Sequence, residues 1–353
     1  MKFINNSLIE LDRVFGPVSK LFLYFFVRWT KKEVNKRVLV IKFLGAGNFI
    51  QLADLNCKEW TFLTLRENAA SISLSHPHAQ IIQLDFRSPT AVFDCIVRIF
   101  SLIFTSRWGG ILNLECESSF ARFLTGVTPS YKKYGLTTRH KDYLDSIVYS
   151  SYVVVSDFFS LSCAVSLLLH SKPSSNFAAA SVISCHNNRV LQRLTDRMNS
   201  EGPIAIFPSC SDTDFNRRLS SSVWRALIQS YAEAGERCEI YFQSDTDVQY
   251  CDFFEMQSAL VSIRVLRYTD YLDAVQSAKI VYCVDSQSFH LAKYFEVPHV
   301  VFFGPTSPFK SGYTDDTYIV CEPVICSPCT HKYMRLPCEG RVFCKQGIRL
   351  PHF

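Results

Sequence analysis

Short apolar runs alternate with segments whose apolar positions recur every three or four residues. Arg37–Phe43 (RVLVIKF) reads as a buried parallel strand, and Gly45-Ala46-Gly47 as the loop after it. Trp60–Leu65 and Ala79–Leu84 repeat the strand pattern, Thr90–Phe104 reads as a helix, and Gly110–Leu114 as a further strand. Ile147–Leu169 is apolar but diluted by serines, which predicts a buried helix or a strand–helix pair. A polar helix follows at His186–Met198. The pattern then starts again. Strands are predicted at Ile204–Phe207, Glu239–Phe242, Ile263–Leu266, Lys279–Val284 and His299–Phe303. Helices are predicted at Ser220–Ala234, Val248–Leu260, Tyr271–Ser277 and Phe289–Phe295. Strands separated by helix-sized segments specify βαβ units and mainly parallel sheets.

The change of composition across Ser171–Glu201 divides the text into a helical extension (1–36) and two α/β domains (37–200 and 201–353). With 353 residues, 48% of them apolar, the chain suits two domains of ordinary size. Two doubly wound domains that face each other leave a cleft at the carboxyl ends of their strands, where ligands bind. Before Lys36, Leu8, Leu11, Phe15, Val18, Phe22, Phe25 and Trp29 form a helical stripe flanked by Lys20, Arg28, Lys31 and Lys32. Its apolar block Leu21–Val27 is too short to span a bilayer, which needs about 20 apolar residues. Residues 1–32 are expected either to lie on an anionic membrane surface or to pack on the body.

Net charge adds little: +5 admits an anionic partner and does not call for nucleic acid. The first apolar block begins at Leu21, which is not a signal-peptide pattern, so a reducing, cytoplasmic compartment and mostly free thiols are expected for the 14 cysteines. Cys326, Cys329, Cys338 and Cys344 lie close together near the end of the chain. A small metal site and unmetallated thiols are both readings of that cluster.

Three strand ends carry candidate chemistry. In the stretch IVYCVDSQSFHLAKYFEVPHVVFFGPTSP, Asp285 ends a strand and Ser286, Gln287 and Ser288 turn into a helix, with Ser288 as the expected N-cap. Backbone N–H groups at such a start favour a phosphate, and His290 falls in the first turn. Phe207-Pro208-Ser209 ends another strand, followed by Arg217 and Arg218, whose guanidinium groups suit a diphosphate. Gly45-Ala46-Gly47-Asn48 is a strand–helix turn without the dinucleotide fingerprint, since Ile50 stands at its last glycine.

In order and separation, RVLVIKFLGAGNFI, IAIFPSCSDTDFNRRLSSSVW, the Asp285 stretch and the cysteine-rich tail resemble glycosyltransferase family nine, the lipopolysaccharide heptosyltransferase family. The resemblance covers roughly Arg37 to Ile348. It implies a GT-B fold of two Rossmann-like domains and an inverting, metal-independent transfer with no cofactor. The donor would be a nucleotide-diphosphate sugar such as ADP-heptose, the acceptor a lipopolysaccharide or other surface glycan, and the place the cytoplasmic face of the inner membrane. Asp285, Ser286 and His290 match the family's donor-contacting D-[ST]-G-x-x-H element. Arg217 matches its phosphate-holding basic residue. Ser209, Thr306 and either Asp245 or Asp247 match further donor positions. Two positions depart from the pattern. Gln287 replaces a glycine, and Asn48 stands where the family's general base is an Asp. An amide cannot serve as a base, which leaves Asp54, Glu115 or Glu117 to be considered. It also leaves open a catalytically inactive nucleotide-sugar-binding protein of the same fold, with a nucleotide-sugar epimerase as a more distant alternative.

Overall fold

The computed structural model describes residues 23, 26–27, 36–43, 45–55, 59–104, 106–116, 118–137, 143–154, 160–170, 183–198, 200–210, 216–244, 253–312, 316–321, 327–329, 338, 343–346, 348 and 350. The stripe read at 1–32 therefore lies almost wholly outside the described residues, as do Glu117, Asp245, Asp247 and Cys326. The chain divides into two units, Met1–Phe177 and Ala178–Phe353. The polar helix read at His186–Met198, assigned from sequence to the first domain (37–200), goes with the second unit.

Unit one runs β1 (Val38–Ile41), α1 (Ala46–Ile50), β2 (Trp60–Leu65), α2 (Ala69–Ser75), β3 (Gln80–Leu84), α3 (Pro89–Phe104), β4 (Trp108–Asn113), α4 (Ser119–Val127), β5 (Ser130–Thr137), α5 (Tyr143–Val148), β6 (Ser151–Val154) and α6 (Leu161–His170). Its sheet has the order β3-β2-β1-β4-β5-β6, every pair parallel. Unit two runs α7 (Ile183–Met198), β7 (Ile204–Phe207), α8 (Ser221–Glu233), β8 (Cys238–Phe242), β9 (Val261–Val265), α9 (Tyr268–Gln276), β10 (Ile280–Val284), α10 (Gln287–Tyr294), β11 (His299–Phe303), α11 (Pro308–Ser311), β12 (Thr317–Cys321) and α12 (Phe343–Gln346). Its order, β12-β11-β10-β7-β8-β9, is again all parallel. Counted from each unit's first strand, both sheets read 3-2-1-4-5-6, the Rossmann order. The fold class is thus the expected one, two Rossmann-like α/β units.

The central strands are buried along their whole length, as in β2, β4, β7, β10 and β11. Helices cover both faces, so these strands read as continuous apolar runs rather than alternating ones. In unit two Trp224 of α8 meets Phe302 of β11 edge to face at 5.2 Å within one core cluster.

Two local expectations are corrected. Residues 253–260 of the helix read over Val248–Leu260 hold only the single 3-10 turn Phe254–Met256. Phe253 is fully buried against Phe242 and pins that turn to the strand edge, so tertiary packing outweighs local helix propensity. The helix after Asp285 starts at Gln287, with Ser286 rather than Ser288 at the N-cap. Ser288 is buried inside the first turn, its hydroxyl 2.7 Å from that of Ser286.

β5 went unread because Lys132 and Lys133 interrupt its apolar pattern. Lys133 is fully buried and donates to Gly126 O at 2.6 Å, which satisfies its ammonium inside the unit. Among the described residues no helix is long and apolar enough to cross a membrane.

Candidate functional site

A sheet of this order has its topological switch point between the first and fourth strands, where loops diverge and leave room for a ligand. In unit two that point lies between β7 and β10. Pro208 and Ser209 follow β7, and Asp285 and Ser286 follow β10. Ser209, Asp285 and Ser286 therefore come to one edge of the sheet by topology.

Asp285 is buried, and both ends of it are held. Arg217 Nη1 donates to its backbone carbonyl at 2.7 Å and stands 3.8 Å from Oδ2. Ser311 of α11 donates to Oδ1 at 3.1 Å. The guanidinium is thus turned onto the end of β10, where it fixes the entry to α10 and places a cation beside that helix's first turn. Ser286, in extended conformation, lets the chain turn into the helix, whose first backbone N–H groups have no partner within it. His290 is buried in that turn. Burial lowers its pKa to about 4, against an opposing pull from Asp285 and with the repulsion of Lys293 and Arg217 added. At neutral pH it is an uncharged imidazole.

Gln287 does not stand alone at the glycine position, because its amide donates to Tyr268 OH at 3.1 Å at the start of α9. Two polar atoms of these loops, Thr306 Oγ1 and Asn216 Oδ1, are shielded from solvent and have no hydrogen-bond partner among the described residues. Buried polar atoms in that condition cost stability unless something else satisfies them, and a bound ligand is one such thing.

The cysteine-rich tail packs on the same loops. Cys329 N donates to Pro305 O at 2.9 Å, and Ser327 Oγ to Gly304 O at 2.6 Å. Lys345 Nζ donates to Arg218 O. A Cβ on Gly304 would lie 2.7 Å from Lys345 Cε and 3.4 Å from Cys344 Sγ, so the glycine makes room for the tail. Cys329 and Cys344 are buried and Cys338 half-buried. Among the described residues no group of three or more metal-binding side chains occurs.

In unit one the switch point lies between β1 and β4. Gly45 has φ 85°, and a Cβ there would lie 2.5 Å from Asn48 Nδ2, so only glycine admits both the turn and the amide. Asn48 sits in α1, a short helix of five residues. Asp54 is exposed in the turn four residues beyond the end of that helix. Glu115, two residues beyond the end of β4, is far better placed. Its Oε1 accepts from Lys42 Nζ at 3.0 Å and from Phe43 N at 2.7 Å. Glu115 N in turn donates to Asn113 Oδ1 at 2.9 Å, and Asn68 Nδ2 holds Phe43 O at 2.7 Å. The carboxylate is fixed at the head of two adjacent strands.

Sequence reading missed Lys42, Tyr268, Ser311 and Lys345. Lys42 left a signal, a lone charge ending an apolar strand. The other three left none, since each acts on a residue distant in the chain.

No family model matches the sequence, and no curated protein matches it. Solved structures do. The E. coli heptosyltransferase WaaC with ADP aligns at TM-score 0.60 and 16% identity, over 80% of this chain and 92% of that one. A glycosyl transferase of family 9 from Veillonella parvula aligns at TM-score 0.60 and 12% identity, over 82% and 86%. The E. coli ADP-heptose lps heptosyltransferase II aligns at 0.57 and 12%, over 82% and 91%. This chain shares the fold of these glycosyltransferases.

Proposed function

We propose that this protein is an inverting glycosyltransferase of the family-nine type. It moves a heptose-like sugar from a nucleotide diphosphate, ADP-heptose foremost, to a lipopolysaccharide or other surface-glycan acceptor. The observation that carries the reading is the unit-two switch point. There Arg217 and Ser311 fix Asp285 at the mouth of α10, with neutral His290 in its first turn. A helix N-terminus and a neighbouring guanidinium meet the charge that grows on a departing diphosphate, and they need no metal ion to do so. The solved heptosyltransferases of like fold, bound to ADP or to an ADP-heptose analogue, support this choice of donor.

The acceptor side belongs to unit one, with Glu115 as general base in place of Asn48. The acceptor hydroxyl gives its proton to Glu115, and its oxygen bonds to the anomeric carbon. The bond to the diphosphate breaks with its electron pair left on the diphosphate oxygen. The transition state is oxocarbenium-like, as in glycoside cleavage. We place the protein at the cytoplasmic face of the inner membrane, where its basic N-terminal segment meets a lipid-linked acceptor.

A ligand that binds only the folded state raises its melting temperature. In a panel of ADP-, GDP- and UDP-linked sugars, the ADP sugar is expected to raise Tm most, and no shift with any of them overturns the donor site. Release of nucleotide diphosphate in the presence of acceptor then separates an enzyme from an inactive donor-binding protein, the reading that Asn48 favours.

A further inference from the structure

Helix α3 is apolar on two opposite faces. Cys95 and Leu102 point into the core of unit one, with Ile99 and Ile103 beside them. On the other side Phe93, Ile96, Val97, Phe100 and Phe104 are 66%, 46%, 51%, 56% and 64% exposed. Their spacing of three, one, three and four residues makes one continuous stripe along the helix. The rings of Phe100 and Phe104 stack at 5.6 Å. Such a stripe presents roughly 500 Å² of apolar surface, as much as the largest patches that soluble monomers carry. A surface helix normally turns polar residues outward, so this one is built for an apolar surrounding.

Exposed cations gather at the strand starts beyond the C-terminal end of α3. That helix runs back to the N-terminal edge of the sheet, where β4 begins. Lys36, Arg37, Arg107 and Lys132 are exposed along this edge, against one exposed carboxylate, Glu59, among the described residues there. Arg37 lies over the Trp108 ring at 5.2 Å and Lys132 over the half-exposed Tyr131 ring at 5.9 Å, so the cations sit among aromatic faces. Leu23 packs into the cluster that Ile103 of α3 flanks, and Phe26 nearby is 53% exposed. Protruding aromatic side chains together with exposed cations are what an anionic lipid surface recognises. The rings enter the boundary between headgroups and acyl chains while the cations stay at the phosphates.

We propose that the outer face of α3 is a membrane-docking surface, which seats unit one on an anionic bilayer. It is separate from the donor site and does not depend on catalysis.

The test uses the full chain with sedimenting vesicles of phosphatidylethanolamine and phosphatidylglycerol, and vesicles of phosphatidylcholine alone. The protein is expected to sediment with the anionic vesicles, and less so as salt rises. The double variant Phe93→Ser, Phe100→Ser should lose roughly 10-fold or more of that partitioning, with its melting temperature retained because both side chains are exposed. Independently, the indole introduced by Phe100→Trp should be quenched by brominated acyl chains in anionic vesicles. Binding to neither vesicle, unchanged partitioning of the double variant, or an unquenched indole each overturns the proposal. So does light scattering that shows a dimer broken by the same double variant in a protein that ignores vesicles, since the stripe would then be a self-association face.

Discussion

The two units share one strand order and differ in what stands at its switch point. In unit one the heads of β1 and β4 hold a carboxylate, Glu115, clamped by Lys42 and a backbone amide. In unit two the heads of β7 and β10 hold a buried Asp tied by an arginine and a serine, at the start of a helix whose histidine is kept neutral. The same scaffold thus presents a clamped carboxylate in one half and, in the other, a buried acid and a guanidinium at a helix start. The strand order decides where a ligand can sit, and the few residues on the loops decide which ligand and what happens to it.

That contrast can be broken by substitution. The largest effect is expected from Glu115→Gln, which keeps the shape and removes the base: kcat should fall by on the order of 10³ with donor binding unchanged, measured by initial rates beside a thermal shift. A fall of less than 10-fold would move the base elsewhere. Next, Arg217→Met frees the end of β10 and removes the cation near the diphosphate. A loss of roughly 10² in kcat/KM and of the donor-induced shift in Tm is expected, and an unaltered donor shift would separate Arg217 from donor binding. The converse change, Asn48→Asp, should alter the rate by less than about 10-fold if Glu115 already takes the proton. A larger gain would restore position 48 as the site of the base.

Acid should sharpen the comparison from the side of stability. His290 and His299 are both buried in unit two with pKa values lowered to about 4, chiefly by burial. Above the ordinary value of 6.5, folded and unfolded chains alike carry neutral imidazoles. As pH falls below 6.5, the unfolded chain takes up protons that the folded one refuses, so stability declines until about pH 4. Each group accounts for up to about 3 kcal/mol over that window. In His299 burial prevails over one ring contact that favours the charged form, the 2.7 Å approach of a ring nitrogen to Val297 O, while the other ring nitrogen meets Thr317 Oγ1 at 2.8 Å. Replacing His299 by Gln should flatten the fall of Tm with acid, and an unchanged slope would place the acid-sensitive groups elsewhere.

How much of this was legible differs from element to element. β2, β7 and β11 stand where their apolar runs placed them, because a strand buried on both faces leaves an unbroken signature. β5 was illegible, because its buried Lys133 is satisfied by a carbonyl of another element. The 3-10 turn at Phe254–Met256 was mistaken for part of a helix because Phe253 answers to the core and not to its neighbours. Asp285 and His290 were legible as a motif at a strand end, whereas Ser311, which holds the carboxylate, was not.

By itself the sequence determined the two α/β halves, their parallel sheets, and the strand ends at which chemistry would gather. Local patterning suffices for that, since each strand and helix writes its own periodicity. Only the tertiary structure decided that Glu115 meets Lys42, that Arg217 turns onto Asp285, that His290 is neutral, and that α3 shows aromatic rings outward. Each of these depends on burial and on partners far away in the chain, which no local pattern carries.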